Sequence, residues 1–235
     1  MAVRPIYIPT FDGRRLVITK HVDFKWFPGM AVTQKQKSIE SLHEAALKLP
    51  GITAVLEVSS KSKDELGIAL SAFNLMITTV KHNLTFSVEQ AFQSSKVFES
   101  GGPFIDLLQK TSREAKKDPR LKTSGRLKRF RFCGVDWGLE PQTAFYDWLY
   151  MSALKKQKEC AEKIAKYTAF SDIEFNPERS INCQAYSVAL YVSLVNRGLL
   201  DYALSSQSAF LDVISEALIN NARQDEGLQG NLNLS

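Results

Sequence analysis

Apolar and polar positions alternate over residues 3–9 and again over 15–24, on either side of "DGR". This period of two predicts two short strands around a turn. "FKWFPGM" interrupts the pattern and reads as a loop. From 34 to 49 the period changes. Ile39, Leu42, Ala46 and Leu47 fall on one helical stripe, and Pro50-Gly51 end it. "ITAVLEVS" is β-branched and compact, which predicts a strand, and "KSKDELG" is a polar connection into "IALSAFNL". Residues 75–86 read as one or two short strands around a His82-Asn83 turn.

The segment "FSVEQAFQSSKVF", from Phe86 to Phe98, predicts an amphipathic helix starting at Val88. Ser87 is its N-cap, and Gln90 three residues later completes a capping box. "GGP" at 101–103 is expected to end this helix and open another over 103–117. "LKRFRFCGV" predicts a strand, "DWGLEP" a loop, and Pro141 the start of the longest helix, over 142–166. "FSDIEFNPERSINCQ" reads as a long polar-aromatic loop. Helices near 183–197 and 207–220 follow, with Gly198 a C-terminal cap and 223–235 a flexible tail. There is no repeat and no linker-like composition shift. Strands are few and short, so the expected fold is one mainly α (α+β) domain over 1–222 with small N-terminal β elements.

Composition narrows the classes. The 235 residues are 44% hydrophobic and 23% charged, ordinary for a soluble domain. No apolar run approaches the roughly 18 residues of a membrane span. "MAVRPIYIPT" lacks a basic-then-apolar leader, so a cytoplasmic protein is expected. Cys133, Cys160 and Cys183 are scattered and odd in number, and His21, His43 and His82 are equally dispersed. Neither a disulfide framework nor a metal site is expected. The net charge of +5 allows a polyanionic partner. It concentrates between Arg113 and Arg131, where Arg113, Lys116, Lys117, Arg120, Lys122, Arg126, Lys128, Arg129 and Arg131 face only Glu114 and Asp118. Such a run suits a solvated surface. Its interleaving with Phe130 and Phe132 also suits phosphate or single-stranded nucleic acid.

The chain has no P-loop, GxGxxG, GxSxG or HExxH motif, which removes the support for several common enzyme classes. Two stretches remain as candidates for chemistry. On an ideal helix from Val88, Glu89, Gln93 and Lys96 share one margin, with Phe92 beside them. Glu89 and Lys96 then lie about 10.5 Å apart along the axis. That is too far for an i,i+4 ion pair and workable for two groups touching opposite ends of a small ligand. The helix dipole alone also favours a glutamate at the start and a lysine at the end. In "VDWGLE", Trp137 stands between Asp136 and Glu140. That trio suits a stacking platform with an acid beside it, or equally a buried anchor and a capping acid. Arg179, Asn182 and Gln184 of "ERSINCQA" are donors that suit a nucleotide or the cap of the next helix.

Together these stretches resemble the NADAR (YbiA-like) family. The family's helix motif, of the type "VEHYFQAQKF", resembles "VEQAFQSSKVF" here. Its upstream Ser/Asn-Phe element resembles "LSAFN" at 70–74, and its Trp-Gly loop before a long helix resembles "VDWGLE". These motifs cover residues 68–192, with 1–67 as an extension. The branch associated with guanine-modifying DNA ADP-ribosyltransferase toxins of the DarT type is more similar still. It resembles "FESGGPF", "DPRLKTSGRL", "TAFYDWLY", "DIEFNPERSINCQA" and the N-terminal "QKQKSIESLH".

The resemblance implies an antitoxin enzyme that hydrolyses the N-glycosidic bond between ADP-ribose and guanine in DNA, single-stranded DNA most readily. It needs no cofactor, and a cognate toxin would be encoded nearby. Carried over by motif, Glu89 is the stabilising carboxylate and Lys96 a lysine able to form a Schiff base with the sugar. Asp136 or Glu140 takes the loop acid's role, since "LEPQTAFYD" departs from the family's Gly- and Asp-rich run. Expected substrate contacts are Ser71, Phe73, Asn74, Phe92, Gln93, Trp137, Arg126, Arg179, Asn182 and Gln184. Two alternatives stand beside this one. The substrate is a small nucleotide or pathway intermediate, or the chain is a non-catalytic antitoxin or single-strand-binding module.

Overall fold

The first hairpin forms as the alternation predicts. In the computed structural model, which describes residues 1–79 and 83–217, β1 (Ala2–Pro9) pairs antiparallel with β2 (Val17–Phe24). Helix α1 (Val32–Ala46) follows, then β3 (Val55–Glu57), α2 (Glu65–Ala69), and the antiparallel pair β4 (Met76–Thr78) and β5 (Thr85–Ser87). The expected turn at His82-Asn83 lies partly outside the described residues. Helix α3 (Val88–Ser94) leads directly into β6 (Lys96–Phe98). A 3-10 turn (Ile105–Gln109), α4 (Ser112–Lys117) and α5 (Arg120–Thr123) come next, then the hairpin of β7 (Leu127–Phe132) and β8 (Val135–Trp137). The chain continues through α6 (Ala144–Lys156), α7 (Lys158–Ile164), β9 (Ala169–Ser171), α8 (Gln184–Asn196), α9 (Leu200–Ala203) and α10 (Gln207–Glu216). The tail expected over 223–235 lies outside the described residues.

The organising sheet has the strand order β2-β1-β9-β3, with β3 and β9 parallel. Successive residues of a strand face opposite sides, so its two faces take different partners. Ile6 and Ala169 turn towards Ile39, Leu42 and Ala46 of α1. Tyr7 and Phe170, the next residues along, turn into the larger core with α6 and α8. Residues Ala185 to Leu194 of α8 are all buried, which makes it the central helix. A second small sheet, β6-β7-β8, packs its aromatic residues on the start of α6.

Several expectations are corrected here. The expected α+β character holds, but three small sheets among the described residues make 'mainly α' only a loose description. The helix from Val88 ends at Ser94 and does not reach Lys96. The hydroxyls of Ser94 and Ser95 both donate to the Ala91 carbonyl, competing with the helical ladder. Lys96 and Val97 instead pair with Phe130 and Arg129, so tertiary pairing overrides the helical period. The helix expected over 103–117 is a 3-10 turn followed by a restart, where Thr111 and Glu114 form a new capping box. The helix expected over 142–166 breaks at Gln157, among Lys155, Lys156 and Lys158, exposed polar neighbours with no apolar face to hold the turn. Asp136 and Trp137 belong to β8, not a loop. Phe170 and Ser171, expected in a loop, belong to β9 within the main sheet, and α2 and α9 were not anticipated.

Candidate active site

A cleft of about 1000 Å³ opens between α3, α4, the loop before α6 and the loop after β9. This is the size of a site for a nucleotide-like molecule. All seven residues of α3 are buried, so its polar side chains turn towards protein and cleft rather than bulk solvent. The helix is pinned at its start. Ser87 accepts from the Gln90 N–H while the Gln90 side chain accepts from the Ser87 N–H at 2.7 Å. The Val88 and Glu89 N–H groups donate to the carbonyls of Leu75 and Ala72, both at 2.9 Å.

Glu89 is only 5% exposed and lines the cleft. The amide of Gln93, one turn on, donates to its Oε1 at 2.8 Å, and the Lys116 ammonium stands 3.7 Å away. Gln93 is thereby a holder of the carboxylate, and its own Oε1 is buried without a partner among the described residues. Phe92 lines the cleft wall with Gln93 and Lys96 and packs on Phe130, Phe145 and Tyr146. The Lys96 Nζ sits 4.8 Å from the centre of its ring.

That position changes the chemistry of Lys96. Burial pushes its pKa down to about 8, with Lys116 acting in the same direction and the Glu89 carboxylate opposing both. About a tenth of the amine is therefore neutral at pH 7, far more than for an ordinary lysine, and a neutral amine is a nucleophile. Lys96 and Glu89 act on one another electrostatically without forming an ion pair, although they do not share a helix.

The remaining expected residues divide by place. Ser71, Phe73 and Asn74 line the cleft beside the start of α3, and Glu140, Arg179, Asn182 and Gln184 line it too. Gln184 ties two walls together: its Oε1 accepts from the Ala72 N–H at 2.7 Å, and its Nε2 donates to the Val58 carbonyl at 2.6 Å. Three others do not line the cleft. Trp137 is 2% exposed and packs on Phe145, Trp148 and Phe210, as a core anchor. Asp136 points outward into ion pairs with Arg131 at 2.6 Å and Arg129 at 3.3 Å. Arg126 is exposed and pairs with Glu99 at 3.1 Å. Of the two loop acids, Glu140 is therefore the one placed at the cleft.

The basic run is also sorted. Arg120 is held by Asp106 and Asp118, Arg126 and Lys128 by Glu99, and Arg129 and Arg131 by Asp136. Only Arg113, Lys116 and Lys117 of the run line the cleft, all on α4. Asp172 and Tyr146 also line it, and neither stood out in the sequence. Among the described residues no group of three or more His, Cys, Asp or Glu side chains is placed to hold a metal ion, and no helix is long and apolar enough to cross a membrane.

No curated protein matches the chain. A family model does, over residues 2–224, and it covers the cleft, Glu89, Lys96 and the N-terminal sheet together. The chain belongs to the DarT1-associated NADAR antitoxins.

Proposed function

We propose that the chain is an ADP-ribosyl glycohydrolase that cleaves the N-glycosidic bond between ADP-ribose and guanine in single-stranded DNA, reversing the modification made by a cognate DarT-type toxin. The observation that carries this reading is the pairing of a half-buried lysine of lowered pKa with a nearly buried carboxylate in one nucleotide-sized cleft. Breaking the bond builds positive charge on the sugar at C1″, which the Glu89 carboxylate stabilises. Neutral Lys96 adds to C1″ as the base leaves and sheds its proton; the C1″–O4″ bond then breaks with its electron pair going to O4″, which leaves a Schiff base, and water adds to the C=N bond and expels the amine to free ADP-ribose. ADP-ribose is thus a product and not a cofactor. Phe73 and Phe92 offer apolar faces, and Arg113 and Lys117 offer charge to a phosphate backbone.

The direct test is borohydride trapping with ADP-ribose across a pH series. Lys96 is mainly an ammonium below its pKa of about 8. The trapping rate should therefore rise about tenfold per pH unit towards that value and level off above it. An adduct elsewhere, or a rate independent of pH between about pH 6 and 8, removes the Schiff-base step.

The substrate's size has its own test. Replacing Arg113 and Lys117 together with glutamine should raise KM for a modified oligonucleotide. It should also lower the salt slope of binding by about 1.4, or 0.7 for each cation lost. Turnover of a modified mononucleotide should not change. Equal effects on both substrates would favour a small nucleotide as the natural one.

A further inference from the structure

A second carboxyl group stands in the cleft wall, in surroundings opposite to those of Glu89. Asp172 directly follows β9 and is 7% exposed. Its Oδ1 accepts the N–H groups of Glu174 at 3.0 Å and Phe175 at 3.2 Å, which fixes the side chain. No hydrogen bond engages its other oxygen among the described residues, and Asp172 lines the cleft. Glu57 of β3 adjoins it, 2% exposed. Both Glu57 oxygens are occupied, by the hydroxyls of Ser59 and Ser171 at 2.6 Å and by the Ile173 N–H at 2.8 Å.

Among the described residues no cation balances this pair. Neither Asp172 nor Glu57 forms an ion pair there, and Lys35 of α1 goes to Glu174 instead, at 3.1 Å. His43 of α1 touches Ser171 at 2.9 Å, but burial pushes its pKa down to about 4, so it is neutral. The other groups around Asp172 are Tyr7 of β1, Tyr146 and Tyr150 of α6, and Cys183 before α8, all held protonated by burial. Two adjacent buried carboxyls without a counter-ion do not both ionise. Burial, reinforced by Glu57, holds Asp172 well above the usual carboxylate range. Tyr146 packs against Phe92 and lies within electrostatic reach of both Glu89 and Asp172, so the two carboxyls flank one phenol. One carboxyl faces a lysine and an amide donor; the other faces only neutral or acidic groups. This is the division of environments that separates a stabilising carboxylate from a proton donor.

We propose that Asp172 is the general acid of the cleavage step, its cleft-facing oxygen delivering a proton to the departing nitrogen of the base. The inference rests on the glycohydrolase reading above. As the C1″–N bond breaks, its electron pair goes to the nitrogen, which takes the proton from Asp172. Water later adds at C1″ and returns a proton to the carboxylate, so the cycle closes without any other reactant.

Asp172→Asn preserves the shape and the Oδ1 acceptor but has no acidic proton. Cleavage of an ADP-ribosylated guanine oligonucleotide should fall about 100- to 1000-fold, the usual contribution of a general acid. ADP-ribose affinity by calorimetry should stay within about threefold, showing an intact cleft. A nitrophenyl ether of ADP-ribose has a leaving group that departs without a proton, and on it the variant should lose less than about tenfold. Equal losses on both substrates, or an oligonucleotide rate within about threefold of wild type, would overturn the role of Asp172 while leaving the glycohydrolase reading intact. A wild-type protein that cleaves neither substrate overturns that reading, and this inference with it.

Discussion

Lys96→Ala should give a folded protein that cleaves ADP-ribosylated guanine in DNA about a thousandfold more slowly, or not measurably, and forms no borohydride adduct. Glu89→Gln should cost about 10²- to 10³-fold in cleavage, the scale of losing one preorganised electrostatic contact at a developing charge. The two variants differ in a second readout. Glu89 raises the pKa of Lys96, against burial and Lys116. Removing its charge should move the midpoint of trapping with free ADP-ribose to lower pH, while trapping itself continues. In Glu89→Gln the side-chain carbonyl can still receive the Gln93 amide, so the start of α3 has no reason to unfold. Normal cleavage rates for both variants would remove the roles given to Glu89 and Lys96, whereas a wild-type protein without cleavage would leave a non-catalytic antitoxin. An unmoved trapping midpoint in Glu89→Gln would show that the carboxylate does not act on the amine.

Gly102→Ala is expected to damage both stability and activity through the backbone of Lys96. Gly102 has φ of +86°, and a Cβ there would stand 2.2 Å from the Lys96 carbonyl oxygen. The strand carrying Lys96 must retreat by about 1 Å, and misplacement on that scale costs about 100-fold in rate. Left-handed strain and overpacking together should cost about 2–5 kcal/mol. For a domain of this size that is a fall in Tm of roughly 5–15 °C. Gly51→Ala is the control. Gly51 has φ of +80° but nothing within 4 Å of a new Cβ, so it carries the conformational strain without the clash. It should lose a smaller part of that stability and no activity. If both variants lose activity alike, the contact with Lys96 is not the cause.

Local signals in the sequence recovered the features that short-range chemistry decides. Ser87 and Gln90 announce the start of α3 because a capping box involves only neighbouring residues. The alternation of β1 and β2 survives because each strand has one face in each core. The end of α3 was not legible, because β7, which captures Lys96, lies some thirty residues downstream. Trp137 and Asp136 illustrate a different limit. A Trp-Gly element identifies a segment without saying which way its side chains turn, and here one turns into the core and the other to solvent. Asp172 was hidden for a third reason. Its character comes from burial, from Glu57 on a strand far away in the chain, and from the lack of a cation beside either among the described residues.

The passage from α3 to β6 has a consequence for how the site is assembled. Glu89 belongs to a helix fixed by its own cap, whereas Lys96 belongs to a strand whose place is set by Phe130 and by the Arg131 N–H, which donates to the Ser95 carbonyl at 2.7 Å. The spacing of carboxylate and amine is thus a property of two bodies meeting. A polypeptide cut between the exposed residues Gly125 and Arg126 would contain Glu89 and Lys96 in its first piece and the strand that aligns them in its second. Restored activity on mixing such pieces would report docking of the hairpin, making the cleft a sensor of the chain's own assembly.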